Sequence, residues 1–470
     1  MARQSQDELE AFLKQQDAAT LAGVLLELAQ EDDVVLKRLK RMQASGKPAR
    51  LATVFRQTLN GWKRSSKYLS YSESGVFGRE VERWLAQIER ELLPKDPPAA
   101  LALAEGLIES DGPMFERTDD SGGAIGGAVR AACRLWLKAA AQCEAPPDQW
   151  PQRLMQLAKG DAYGAREELL RHADLLLDEA ALRRLVADFE AELDGVMAAA
   201  RAGDERDLPL HVFKMSARLH LLSHALRDPD VHVRAVLMYS PQPNPLQIES
   251  FVRAYLEFGR PADAMRWLEG DWQAHEGSRL RLLAQALEAL DRREDAAAIR
   301  RRIFEQTLAV PDLHTWLDLL PAPQQPPAID AARQLALAHG DPVGSALLLL
   351  DIGQEAAAEA ALVEAEAAER LKGDDYMSLV PLAEALRARQ RWAGATAAYR
   401  ALLSAVLERA YTKAYSYGAS YWLQLEGIAG QAVDLAPLEP HDRFAASVRT
   451  RHGRKVAFWQ WVEKVRVKSG

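Results

Sequence analysis

His220 and His224 stand four residues apart, which would put both imidazoles on one helix face, and His211 lies shortly upstream. That spacing suits a zinc ion. Two histidines make only half a site, however, and no carboxylate stands between them. The expectation is a pair of polar, half-buried histidines and no metal. Glu116, Asp119 and Asp120 cluster beside Ser121. Paired carboxylates can transfer protons or hold a hard cation, but just before a helix they also cap it and offset its dipole. Capping is the expectation here. Gly122, Gly123, Gly126 and Gly127 lack the lysine and the preceding strand of a nucleotide loop. They read as a helix start with close helix–helix contact. Cys133 and Cys143 fall in one predicted helix, roughly 15 Å apart at the helical rise, too far for a disulfide. Reduced thiols in a cytoplasmic protein are expected. The sequence has no phosphate-loop, Gly-x-Ser-x-Gly, His-Glu-x-x-His or Cys-x-x-Cys pattern. No catalytic residue and no cofactor are therefore assigned, and the chain is expected not to be an enzyme.

Charge is the least ordinary feature. Residues 37–67 hold ten basic side chains and no acidic one: Lys37, Arg38, Lys40, Arg41, Lys47, Arg50, Arg56, Lys63, Arg64 and Lys67. Residues 449–468 hold seven basic side chains against Glu463. Set against a net charge of -8, these two windows leave -24 on the rest of the chain. A basic face for phosphate or for an acidic partner would explain the segregation. So would pairing with the acidic middle of the chain, or helix-end lysines and arginines that offset a dipole.

These residues need elements to position them. At 470 residues the chain exceeds one ordinary core. Its 48% hydrophobic content excludes wholesale disorder, and its 7% aromatic content, with alanine and leucine dominant, favours close-packed helices. Val81, Trp84, Leu85, Ile88 and Leu92 share one helical stripe, as do Leu182, Leu185, Val186, Phe189 and Leu193. Alternating β-branched runs are lacking, so no sheet is expected. Proline clusters at 94–98, 146–151, 241–245, 321–327 and 437–440 mark joints between helical blocks. The expected regions are 1–145, a helical bundle with the basic block; 146–240, a middle helical region; 241–436, a repeat array; and 437–470, a basic helical cap. The polar N-terminus has no signal-peptide core, and the longest apolar runs fall far short of ~20 residues, so neither secretion nor a membrane is expected.

The repeat emerges on aligning Ala264, Ala296, Ala358 and Ala395. Thirteen residues before them stand Phe251, Leu283, Ser345 and Leu382; nine before, Tyr255, Leu287, Leu349 and Leu386; four after, Leu268, Arg300, Leu362 and Tyr399. Five before stand Gly259, Asp291, Gly353 and Gln390, where the chain should turn. A weaker copy centres on Ala328 with Leu319. This frame resembles the tetratricopeptide repeat, in which large residues on a first helix pack around a small residue on a second. The resemblance covers residues 245–407 and implies an α-solenoid of degenerate helical hairpins; Arg300 and Ser345 depart from it.

A second resemblance rests on Tyr68-Leu69-Ser70-Tyr71-Ser72-Glu73-Ser74-Gly75-Val76-Phe77, on Asp119-Asp120-Ser121-Gly122, and on residues 411–421 followed by Arg451-His452-Gly453-Arg454-Lys455 with Phe458-Trp459. These segments resemble a family of uncharacterised bacterial all-helical proteins similar to the helical region that follows SWIM-type zinc fingers. The cysteines here do not form such a finger, and the family implies no activity.

The functional expectation is an interaction or scaffold protein that binds a peptide or protein on a helical-repeat surface. The tetratricopeptide resemblance implies ligand-facing positions at Glu249, Arg253, Arg281, Gln285, Glu288, Glu384 and Arg387, whose mixed charge points to a polar ligand. The alternative is a nucleic-acid-associated protein using Lys37, Arg38, Arg41, Lys63, Arg64 and Lys67, with Trp62 for stacking.

Overall fold

The computed structural model describes residues 11–44, 46–144, 146, 149–202, 210–367, 369–373, 375–431 and 433–469. Among them every regular element is helical, apart from an isolated parallel β-bridge between Leu69 and Thr118. The all-α expectation holds. The chain forms two compact units, Met1–Gln247 and Ile248–Gly470.

The first unit runs α1 (Ala18–Glu31), α2 (Asp33–Ala44), α3 (Pro48–Arg64), α4 (Tyr71–Gln87), α5 (Pro97–Ile108), α6 (Asp111–Glu116), α7 (Ala124–Ala140), α8 (Gln149–Lys159), α9 (Glu168–Arg171), α10 (Glu179–Ala202), α11 (Leu210–Leu226) and α12 (Pro229–Tyr239). A π-helical turn, Ile88–Leu92, continues α4. Proline opens α3, α5 and α12, where a missing N–H costs nothing, and Asp96 and Asp228 cap the last two. Central α7 packs on both α4 and α5 and buries Val129, Cys133 and Trp136. Gly78 on α4 comes so close to Ala124 that an added Cβ would lie 2.8 Å from the alanine methyl. Both expected apolar stripes are buried in one core that runs from Leu51 to Ala235 and serves residues 1–145 and 146–240 alike. The cysteines are unpaired, and burial raises both thiol pKa values.

Helix α13 (Pro245–Glu257) begins at the junction. The second unit continues with α14 (Pro261–Met265), α15 (Glu276–Ala289), α16 (Arg293–Thr307), α17 (Val310–Leu317), α18 (Gln325–Ala338), α19 (Pro342–Asp351), α20 (Glu355–Ala367), α21 (Tyr376–Ala388), α22 (Trp392–Glu408), α23 (Tyr415–Ala429), α24 (His441–His452) and α25 (Val456–Ser469). The pairs α15/α16, α19/α20 and α21/α22 are closely packed hairpins. Ala264, Ala296, Ala358 and Ala395 each have 0% exposure, as a small residue at a helix crossing must. Tyr255, Leu287, Leu349 and Leu386 are buried beside them. Gly259, Asp291, Gly353 and Gln390 have φ of +69°, +57°, +76° and +60°, so all four expected turn positions adopt the left-handed conformation that ends a helix. The two departures are absorbed locally. Arg300 is mostly buried and donates to Glu288 at 2.8 Å, and Ser345 is small enough to bury, with no hydrogen-bond partner for its hydroxyl among the described residues.

Candidate functional site

Most candidates for chemistry resolve into structural roles. Asp120 accepts from the N–H groups of Ile125 and Gly126 at 2.8 and 3.0 Å, which caps α7, and Asp119 closes a turn on Ser121. Gly123, with φ +69°, lets the chain enter α7. His211 pairs with Glu192 at 2.9 Å. His220 and His224 do share a face, and the α11–α12 turn brings in His232, which sequence spacing could not reveal. Ring centroids are 5.0 Å apart for His220 and His224, and 4.4 Å for His220 and His232. Burial, aided by the neighbouring imidazoles, drives His220 down to about 3 and His232 to about 4, so both are neutral at pH 7. Among the described residues no group of three or more His, Cys, Asp or Glu is placed to hold a metal ion.

In the second unit α21, α22 and α23 frame a groove of 590 Å³. Helix α21 supplies Tyr376, Met377, Val380 and Pro381. Leu402, Ala405 and Val406 of α22 lie between the walls, and Tyr417 and Tyr421 of α23 stand opposite. Arg409, Tyr411 and Ala414 also line it. The backbone at Gly373 passes so near Ala401 that any Cβ would collide with that residue's carbonyl. Pro381 sits inside α21 and has no N–H to donate to the Met377 carbonyl. Tyr421 stacks on buried Tyr399 at 6.1 Å. Tyr376, Met377 and Tyr417 are 61%, 73% and 65% exposed, so large amphipathic side chains face solvent around an apolar lining.

The expected ligand-facing residues divide. Glu384 and Arg387 are exposed on α21 and continue the helical stripe of Val380, so they adjoin this groove. The others are tied up or stand apart. Glu249 pairs with Arg253 at 2.6 Å, Arg281 with Asp312 at 3.1 Å and Glu288 with Arg300, while Gln285 is exposed. Sequence reasoning missed the groove's tyrosines. Tyr417 and Tyr421 carry an i, i+4 signal, but their opposition to Met377 and Val380 arises only from hairpin stacking.

The basic block also divides. Arg38, Lys63, Arg64 and Lys67 are exposed, with Lys67 bound to Glu73 at 2.7 Å. The Lys37 side chain lies outside the described residues. Arg41 turns inward toward Glu91 at 3.7 Å, and burial lowers its pKa. Trp62 corrects the expectation of a free stacking surface. Its ring packs edge to face on Phe77 and Trp84, at 5.6 and 5.2 Å. The signal was present: Leu51, Phe55, Leu59 and Trp62 fall on one helical stripe.

Fold and groove together define an all-α protein of repeated helical hairpins. Residues 5–461 match the family of unknown function DUF6880, and the chain belongs to that family. No curated protein matches it. Among solved structures, a circular tandem repeat protein with novel repeat topology and enhanced subunit contact surfaces matches at 14% identity over 94% of this chain and 92% of that one. The TM-score of 0.19 is too low to support any argument from that likeness. No helix among the described residues is long and apolar enough to cross a membrane.

Proposed function

We propose that this chain is a non-enzymatic scaffold that holds a peptide or protein partner on the hairpin surface of its second unit, with the α21–α23 groove as the anchoring point. One observation carries the reading: three exposed tyrosines and an exposed methionine surround an apolar lining beside the charged pair Glu384 and Arg387. Tyrosine and methionine are enriched where proteins meet. The ligand is therefore an extended segment with an apolar anchor flanked by charge, a change from the purely polar ligand expected from Glu249 to Arg387. The unpaired cysteines support a reducing, cytoplasmic setting. Kinship with the bacterial helical regions that follow SWIM-type fingers belongs to the same reading and rests on the 68–77, 119–122, 411–421 and 451–459 segments.

Selection from a displayed library of random peptides about 12 residues long tests it. The reading expects enrichment of sequences with one or two large apolar residues between charged ones. Failure to enrich any peptide against the full chain removes it.

A further inference from the structure

The basic block of the first unit is not used by the peptide groove, and the structure places a different pair of aromatics beside it. Helix α3 ends at Lys63 and Arg64, and residues 65–70 lead into α4. This connection is firmly held. Arg117 donates to the carbonyls of Ser65 and Trp62 at 2.9 and 3.1 Å. Leu69 exchanges backbone hydrogen bonds with the Arg117–Asp119 segment, its N–H reaching Arg117 at 2.9 Å and its carbonyl accepting from Asp119 at 3.0 Å. Ser70 and Glu73 form a capping box that starts α4.

Two tyrosines project here, Tyr68 from the connection at 62% exposure and Tyr71 from the first turn of α4 at 63%. The Tyr71 ring lies against Gly122, where an added Cβ would come 3.2 Å from it, so one part of the ring is backed by main chain while most of it meets solvent. Lys47, Arg50, Arg56, Lys63 and Arg64 are all exposed, and no acidic residue occurs from 37 to 67. Lys67 is set aside, because Glu73 neutralises it.

We propose that this surface binds single-stranded nucleic acid, with Tyr68 and Tyr71 as stacking platforms for unpaired bases and Lys63 and Arg64 as phosphate partners. Cationic side chains that track a backbone, combined with exposed rings that accept base faces, are what sequence-tolerant single-strand binding requires. A duplex offers its phosphates but keeps its base faces covered. An acidic peptide satisfies the cations and has no planar group for the rings. The tyrosines therefore favour a single strand over either. Nothing here enters a groove to read base edges, so sequence preference is weak.

The test is fluorescence anisotropy of the full chain with a labelled oligothymidine of about 20 nucleotides in about 50 mM salt, against a duplex of equal length and polyglutamate. The wild type binds the single strand more tightly than the duplex or polyglutamate. Tyr68→Ala with Tyr71→Ala weakens binding by about tenfold or more, whereas Tyr68→Phe with Tyr71→Phe, which keeps both rings, binds as wild type does. Lys63→Glu with Arg64→Glu weakens binding and makes the log affinity against log salt slope shallower by about 1 to 2. Helical circular dichroism of each variant guards against misfolding. No binding by the wild type, binding unchanged by the tyrosine-to-alanine pair, or equal binding of the duplex or polyglutamate overturns the proposal.

Discussion

The backbone N–H of Arg391 donates to the carbonyl of Leu386 at 2.9 Å, closing α21 one residue beyond Gln390. The same bond recurs from Arg260 to Tyr255 at 2.8 Å, from Arg292 to Leu287 at 2.9 Å and from Gln354 to Leu349 at 2.7 Å. Each acceptor belongs to the buried residue nine before a frame alanine, and each donor follows a residue with positive φ. These are Schellman closures. One sequence position thus sets both the end of the first helix and the depth of the hairpin.

Glycine occupies this turn twice, whereas Asp291 and Gln390 hold it with a side chain in left-handed conformation. Gln390→Gly and Asp291→Gly should each stabilise the second unit by about 0.5–1 kcal/mol, and Gly259→Ala and Gly353→Ala should each cost about 1 kcal/mol. Urea unfolding midpoints measure this. Shifts of the same sign for both kinds of change would contradict the closure.

The frame alanines have no room to grow. Ala264→Leu or Ala395→Leu should cost roughly 1–3 kcal/mol by forcing the paired helices apart. Ala262→Leu, at an exposed position of α14, should be near neutral. Comparable small effects at all three sites would mean that the alanines do not mark helix crossings.

In the first unit Arg166 grips Asp111 with two hydrogen bonds of 2.7 Å, both side chains nearly sealed from solvent, and donates a third to Leu157 at 2.9 Å. Asp111→Leu should cost roughly 3–5 kcal/mol, because it strands a buried guanidinium. Adding Arg166→Met to Asp111→Leu should recover much of that loss. Additive losses in the double variant would show that the pair does not act as a unit.

Acid should loosen the first unit through its histidines. Folding holds His220 near 3 and His232 near 4, against a usual value of 6.5. Below pH 6.5 the unfolded chain therefore binds protons that the folded chain refuses, so stability falls with pH across that window and is unaffected by these groups above it. By pH 5 the loss should reach roughly 1–2 kcal/mol per histidine. Chemical denaturation between pH 7.5 and pH 5 should show a shallower slope for His220→Leu than for wild type. An unchanged slope would place the acid sensitivity elsewhere.

How much of this the sequence discloses depends on the range of the forces involved. The frame alanines, their large partners and the turn positions are legible because each hairpin is built from residues within about 20 of one another. Asp120 as a cap is legible for the same reason. What lies beyond reach is the meeting of distant segments, Arg166 with Asp111, Arg41 with Glu91 and Tyr417 across from Val380, and the angle of the α11–α12 turn that brings His232 onto His220. Trp62 marks an intermediate case. Its stripe with Phe55 and Leu59 already set it, partly buried, against the core, and the nearby positive charge gave it a misleading role.

The central claim is that the α21–α23 groove anchors a partner. Met377 and Tyr417 line it and are exposed, so truncating them should leave the fold intact. The decisive measurement is the affinity of a library-selected peptide for wild type, Met377→Ala with Tyr417→Ala, and Arg253→Ala on α13. A loss of about tenfold or more in the groove variant, of the size seen for interface hot spots, with Arg253→Ala near wild type, is the predicted result. Equal affinity for the groove variant and wild type, with circular dichroism unchanged, would contradict the claim.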